Sequence, residues 1–303
     1  MRVLIFCVAV VAATCAPLAD APRELPPSSA AAAVATQAGA AAPIASVAPP
    51  ALPSVSPSPA PLPFAVPTGL PLAALPPVRF ARPDPVAGAR RIGIQAGHWL
   101  TEQVPADLRG LESATGASWG ALTERDVNVR VANAVAAALR ARGHVVDVLA
   151  TAVPPGYLAD AFVAIHADGE PSGRTRGFKI AHSAYPRSPH DVALARALAH
   201  DYGAATGLPI DPALTGRMYR YYAFAWSRYS SAVSPHTPAA IIEMGFVTNA
   251  ADREVLLERT DQVVAGIVAG ISRFLEAVPR QEVYPDDLVL TPWPPFTGRT
   301  TVP

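Results

Sequence analysis

Three apolar runs in this chain each end on a polar residue that can bind a metal ion or carry a proton. Arg91 to Gly97 leads into His98, Ala161 to Ile165 into His166, and Ala239 to Ile242 into Glu243. A fourth such residue, Glu124, stands at the head of a long amphipathic stretch. Two imidazoles and two carboxylates are the groups that metal-assisted hydrolysis uses. Three protein ligands hold the ion and leave a position for water, and a nearby carboxylate takes a proton from that water and passes it on. His98, Glu124 and His166 would make a ligand set free of thiolate, with Glu243 as general base and then acid. The ligands lie far apart in the chain, unlike the local H-E-x-x-H pattern. Their placement at strand ends therefore carries the argument.

The elements that must position them read as an α/β domain. Apolar runs of four to eight residues are expected as buried strands, and ligands in such sheets gather at the strands' carboxyl ends. Thr123 is expected to cap a helix with Glu124 and Asp126 in its first turn. Val127, Val131, Val135 and Leu139 form the apolar stripe of that helix, and Gly143 ends it. His144 to Ala150 and Gly177 to Ala181 read as further strands, and the strand–helix–strand order implies a parallel crossover. Ser188 with Pro189 is expected to open a second helix running towards Gly207. Residues 210–237 read as irregular. Asn249 and Thr260 are expected to cap two closing helices, the last with Val263, Ile267, Ile271 and Leu275 facing the core. The fold class that follows is a single globular α/β domain, its mixed, mostly parallel sheet flanked by helices.

Composition separates that domain from its flanks. Between Glu24 and Arg79 no residue is charged, and Ala, Pro and Ser dominate. Such a stretch has few large side chains to bury and favours extended polyproline segments. Residues 22–85 are accordingly expected as a disordered spacer, 86–279 as the catalytic domain and 280–303 as a Pro-rich tail. Residues 1–21 read as an export signal, with Arg2, an apolar Val3–Ala13 core and Ala19-Asp20-Ala21 as a cleavage site. That apolar run is short for a membrane span of about 20 residues, so no span is expected in the mature chain. The only cysteines, Cys7 and Cys15, both lie in this leader, leaving the domain without disulfide or thiolate ligand. Cys15 is a candidate for lipid attachment. Lys and Arg number 24, Asp and Glu 24, and no basic run stands out, which argues against a nucleic-acid partner.

The residues around the four chemical positions resemble the zinc-dependent N-acetylmuramoyl-L-alanine amidases of the Amidase_3 type. Four blocks match in order: Ile94 to His98, Thr123 to Asn128, Phe162 to Asp168, and Pro238 to Asn249. The resemblance spans roughly residues 90–277. It implies a mixed α/β sheet flanked by helices, one zinc ion per chain held by His98, Glu124 and His166, and Glu243 as the catalytic glutamate. It also implies peptidoglycan as substrate, cut at the amide between N-acetylmuramic acid and the L-alanine of the stem peptide. The setting would be periplasmic or wall-associated, and a protein activator is left open. Two stretches depart from the pattern: Trp99-Leu100 follow His98, and Pro154 to Tyr157 replace a longer segment before the second histidine strand.

Metal chemistry does not itself choose the amide, so another exported zinc amidohydrolase or peptidase is the nearest alternative. A catalytically silent wall-binding module is the next, against which the presence of all four chemical residues argues. A glycosidase with Glu124 and Glu243 as its acid pair would leave two strand-end histidines without a role. His144, His182, His190 and His200 have no supporting pattern. His236, just upstream of the Glu243 strand, is a candidate substrate contact. The aromatic cluster from Tyr219 to Tyr229 could stack on sugar or peptide, but such clusters more often anchor an irregular loop to the core by their buried area. Trp293 and Phe296 either dock on the domain or stay solvated.

Overall fold

The apolar runs become strands of one five-stranded sheet in a computed structural model that describes residues 76–84 and 87–293. The expected leader with Cys15, most of the expected spacer, and Phe296 lie outside the described residues.

The chain opens with β1 (Val78–Phe80) and β2 (Arg91–Ala96). Two short 3-10 turns and the hairpin β3 (Ser118–Trp119) and β4 (Leu122–Thr123) lead into α1 (Glu124–Arg140). Then come β5 (Val145–Leu149), β6 (Ala161–Asp168), β7 (Lys179–Ala181), α2 (Asp191–Thr206) and the one-turn α3 (Gly216–Tyr219). The chain closes with β8 (Ala239–Phe246), α4 (Ala250–Glu258), α5 (Thr260–Ala277), α6 (Arg280–Val283) and β9 (Leu288–Leu290).

Spatial order in the main sheet is β5-β2-β6-β8-β7, parallel throughout except for the edge strand β7. Central strands covered on both faces must be apolar on both, and β2, β6 and β8 are almost wholly buried. Side-chain alternation then sorts the two faces. Ile92, Ile94, Val163, Ile165 and Ile242 point to the layer of α1, α2 and α5, whose stripes include Val131, Leu139, Leu198 and Ile267. Phe162, Ala164 and Ile241 point the other way, into a second core made by Tyr157, Tyr221, Phe224 and Trp293.

The helix ends partly follow their expected caps. Thr123 accepts the Asp126 N–H at 3.2 Å, and Asn249 accepts those of Ala251 and Asp252. Ser188 does not cap α2. Its hydroxyl serves a turn to the His190 N–H, and α2 starts at Asp191, whose carboxylate faces Arg187 at 2.8 Å and accepts the Ala239 N–H at 2.8 Å. Nor does Thr260 cap α5, because its hydroxyl donates back to the Leu256 and Leu257 carbonyls of the preceding helix. β1, from the stretch expected as spacer, pairs antiparallel with β9, from the expected tail. Phe80 sits edge-on to Trp226, and Trp293 is buried against Tyr185.

Candidate metal centre

Four elements deliver the chemical side chains to the carboxyl ends of β2, β6 and β8. His98 leaves β2 in the left-handed conformation with φ 62°, a region that costs a non-glycine residue about 1–2 kcal/mol. Just before it, Gly97 donates its N–H to the Ile165 carbonyl at 2.9 Å. A Cβ at Gly97 would lie 2.3 Å from His166 Cε1, so only glycine lets that ring cross the strand end. His166 and Glu243 are register partners on β6 and β8 and therefore share a face. A register shift follows between His166 and Asp168, a bulge of the kind found beside active sites.

Glu124 enters from the first turn of α1. The chain clamps it at the backbone: its N–H donates to the Ala117 carbonyl, and its Oε2 accepts the Ala117 N–H, both at 2.8 Å. Its Oε1 accepts from the Ala167 N–H and from Asn128 Nδ2, both at 3.2 Å. That same oxygen lies 3.3 Å from His98 Nε2 and 3.0 Å from His166 Nδ1. One ligand atom from each of the three residues falls within 4.8 Å of the others.

Hydrogen bonds settle which nitrogen of each ring is free. A carbonyl oxygen only accepts, so His98 Nδ1–H donates to Ala114 at 2.5 Å, and the Nε2 lone pair faces inward. His166 Nε2 lies 3.0 Å from the Tyr221 hydroxyl, whose own proton goes to Gln95 Oε1 at 2.8 Å. Tyr221 therefore accepts from His166 Nε2–H, leaving Nδ1 as the inward lone pair. Gln95 Nε2 donates to Tyr222 and to the Ala150 and Thr151 carbonyls, and the Tyr222 hydroxyl donates to Thr151 at 2.6 Å. Every member of this buried chain is satisfied, an arrangement that orients metal-binding imidazoles.

Electrostatics match the geometry. Burial pushes Glu124 towards the neutral acid, but the neighbouring imidazoles of His166 and His98 outweigh it and hold the carboxyl well below the usual range. Burial likewise opposes protonation of His98, yet Glu124 and the Ala114 carbonyl shift its pKa upward. Glu243 goes the other way. Burial first, then the charges of Glu124 and Asp168, raise it well above a normal glutamate, with Lys179 in partial opposition. Its Oε2 is buried and meets no hydrogen-bond donor among the described residues.

His98, Glu124, His166 and Glu243 line one cleft of about 910 Å³. Two imidazole nitrogens and a carboxylate oxygen with no sulfur are the donor set that suits zinc in a hydrolytic site, so these residues fit the ion. His236 does not line this cleft. It is buried edge-on to Tyr284, with Nε2 3.3 Å from the Asp286 carbonyl. From the sequence, Gln95 and Asn128 have no role, and Tyr221 is only one member of an aromatic cluster. Asn128 carries a signal, standing one helical turn after Glu124. Tyr221 does not, because its partner His166 is 55 residues away.

A family model described as N-acetylmuramoyl-L-alanine amidase, Amidase_3, matches residues 92–273, more than half of the chain. The chain belongs to that family. It is thus a hydrolase of peptidoglycan amides, and peptidoglycan is its implied substrate. No curated protein matches its sequence. Among solved structures it is similar to AmiC2 of Nostoc punctiforme, at 21% identity and TM-score 0.46, covering 63% of this chain and 99% of that one. It is also similar to Ami1 of Mycobacterium smegmatis, at 22% identity and TM-score 0.45, covering 63% and 98%. The catalytic domain of CwlV from Bacillus (Paenibacillus) polymyxa gives 20% identity and TM-score 0.41, covering 62% and 98%.

Proposed function

We propose that this amidase hydrolyses the bond between N-acetylmuramic acid and L-alanine with one zinc ion held by His98, Glu124 and His166, and with Glu243 moving the protons. The observation that carries this reading is the approach of three ligand atoms within 4.8 Å, in the same cleft as Glu243. A zinc ion there would polarise the amide carbonyl and lower the pKa of a water towards about 7. Glu243 Oε2 has its lone pairs free of other donors, so it accepts the water's proton. Burial and neighbouring acids raise its proton affinity, so it retains that proton and then delivers it to the departing alanine nitrogen. Tyr221 and Ala114 keep the ring protons of His166 and His98 on the outer nitrogens.

Cell-wall amidase activity lies outside the cytoplasm, and no helix among the described residues is long and apolar enough to cross a membrane. An export signal at residues 1–21, lipid attachment at Cys15 and a spacer between residue 22 and β1 fit that setting and belong to the proposal. Digestion of purified peptidoglycan by the full chain tests the reading, with new alanine amines and new reducing ends scored separately. Amines without reducing ends are expected, lost on chelation and restored by zinc. Glu243→Gln is expected to keep its zinc and lose at least about 10²-fold in turnover. Near-wild-type turnover by that variant would remove Glu243 from the mechanism.

A further inference from the structure

Beside the metal cleft lies a second hollow of about 240 Å³, lined by Gly216, Arg217, Arg220, Ala225, Arg228, Tyr229 and Trp293. Among the described residues its lining holds three guanidinium groups and no acid. The metal cleft has the reverse character, with Glu124, Asp168 and Glu243 among its walls. Arg217 and Arg220 line both spaces and, among the described residues, are the only Lys or Arg lining the metal cleft. Arg217 is exposed and forms no hydrogen bond or ion pair among the described residues. Trp293 adds an indole N–H that is buried without an acceptor among those residues. A space framed by donors and cationic forks, with no carboxylate of its own, is built for a planar anion.

The substrate class supplies such an anion. A stem peptide carries free carboxylates at some distance from the alanine amide that is cut. Resting on the amidase reading above, we propose that this hollow is an anion subsite in which Arg217 binds a carboxylate of the stem peptide while the scissile amide occupies the metal cleft. The peptide, rather than the glycan, would then provide the recognition remote from the reaction. Arg217 would contribute binding shared by the ground and transition states, so its loss would appear in KM rather than kcat.

The test compares two synthetic muramoyl peptides that differ only in whether the stem-peptide carboxylates are free or amidated. With the zinc-loaded full chain, Arg217→Ala is expected to raise KM for the free acid about tenfold with kcat within twofold. The same variant is expected to leave the amidated substrate unchanged, and Arg217→Lys to fall between. An equal change on both substrates, or no change on either, would overturn the subsite. Calorimetric titration of the released stem peptide into the same proteins reads the site without catalysis. Free-acid binding about tenfold tighter than amidated, and lost in Arg217→Ala, would support the subsite even if the amidase assay failed. Indistinguishable binding of the two peptides to the wild-type chain would overturn it while leaving the amidase reading standing.

Discussion

Replacing Tyr221 by phenylalanine deletes one oxygen from the buried chain behind the candidate metal centre and leaves the ring's volume in place. Two hydrogen bonds go with it: His166 Nε2–H to Tyr221 at 3.0 Å, and Tyr221 O–H to Gln95 Oε1 at 2.8 Å. Gln95 keeps its other contacts, because its Nε2 still donates to Ala150, Thr151 and Tyr222. The orphaned Gln95 oxygen and His166 N–H each cost about 1–3 kcal/mol if water cannot replace the lost partner. The His166 ring would also lose the acceptor that keeps its proton on Nε2. Loss of such an outer partner typically weakens metal affinity about 10–100-fold, or about 1.4–2.7 kcal/mol. Competition against a chromophoric chelator measures that affinity, while thermal unfolding of the metal-free protein follows stability separately. Excess zinc is expected to restore most of the variant's turnover. Tyr222→Phe is the control, since its hydroxyl is one step further out and donates to Thr151. It is expected to lower stability and change zinc affinity less than about threefold. If Tyr221→Phe folds and binds zinc within twofold of wild type, or if both variants lose affinity equally, the tautomer argument is wrong.

Two further variants probe the scaffold. At Gly270, where α5 crosses α2, a Cβ would lie 2.7 Å from the Leu198 Cα and 3.1 Å from the Ala197 carbonyl oxygen. Gly270→Ala gains about 1 kcal/mol of helix propensity but meets backbone that cannot swing aside, at a cost of about 1–3 kcal/mol. Its melting temperature should fall with zinc affinity unchanged, and a rise would refute the close packing. Asp201 accepts both Nε and Nη2 of Arg273, at 2.7 and 2.8 Å, and this pairing holds its pKa below the ordinary value. Because the folded pKa is depressed, the stabilisation is complete above about pH 4 and disappears as pH falls through the folded value. Arg273 is largely exposed, so solvent screening keeps the effect small. Chemical denaturation across pH should show Asp201→Asn less stable than wild type at pH 7, with the gap closing as pH falls below the ordinary aspartate range. A gap independent of pH would remove the charge from the explanation.

Where a sequence signal and its physical cause are both local, the chain is legible. The Thr123 and Asn249 caps need only the N–H groups two or three residues ahead. The Val263, Ile267 and Ile271 stripe of α5 needs only helical periodicity. Legibility stops where a side chain has a distant competitor. Asp191, at the start of α2, is engaged by Arg187 and by the Ala239 N–H from across the fold, so α2 begins after its expected cap. The ribbon of β1 and β9 joins segments about 200 residues apart, and neither strand can bury its apolar side alone.

The candidate site divides along the same line. The sequence by itself determined which side chains were available and roughly where each would stand: His98, His166 and Glu243 at the ends of apolar runs, and Glu124 at a helix start. These depend on period-two burial and on first-turn preferences, which need only near neighbours in the chain. Only the tertiary structure decided that ligand atoms of His98, Glu124 and His166 meet within 4.8 Å. It also decided that Tyr221, from an irregular segment, fixes the His166 proton. Which nitrogen carries that proton depends on acceptors brought together by chain closure, and strand or helix periodicity holds no record of that closure.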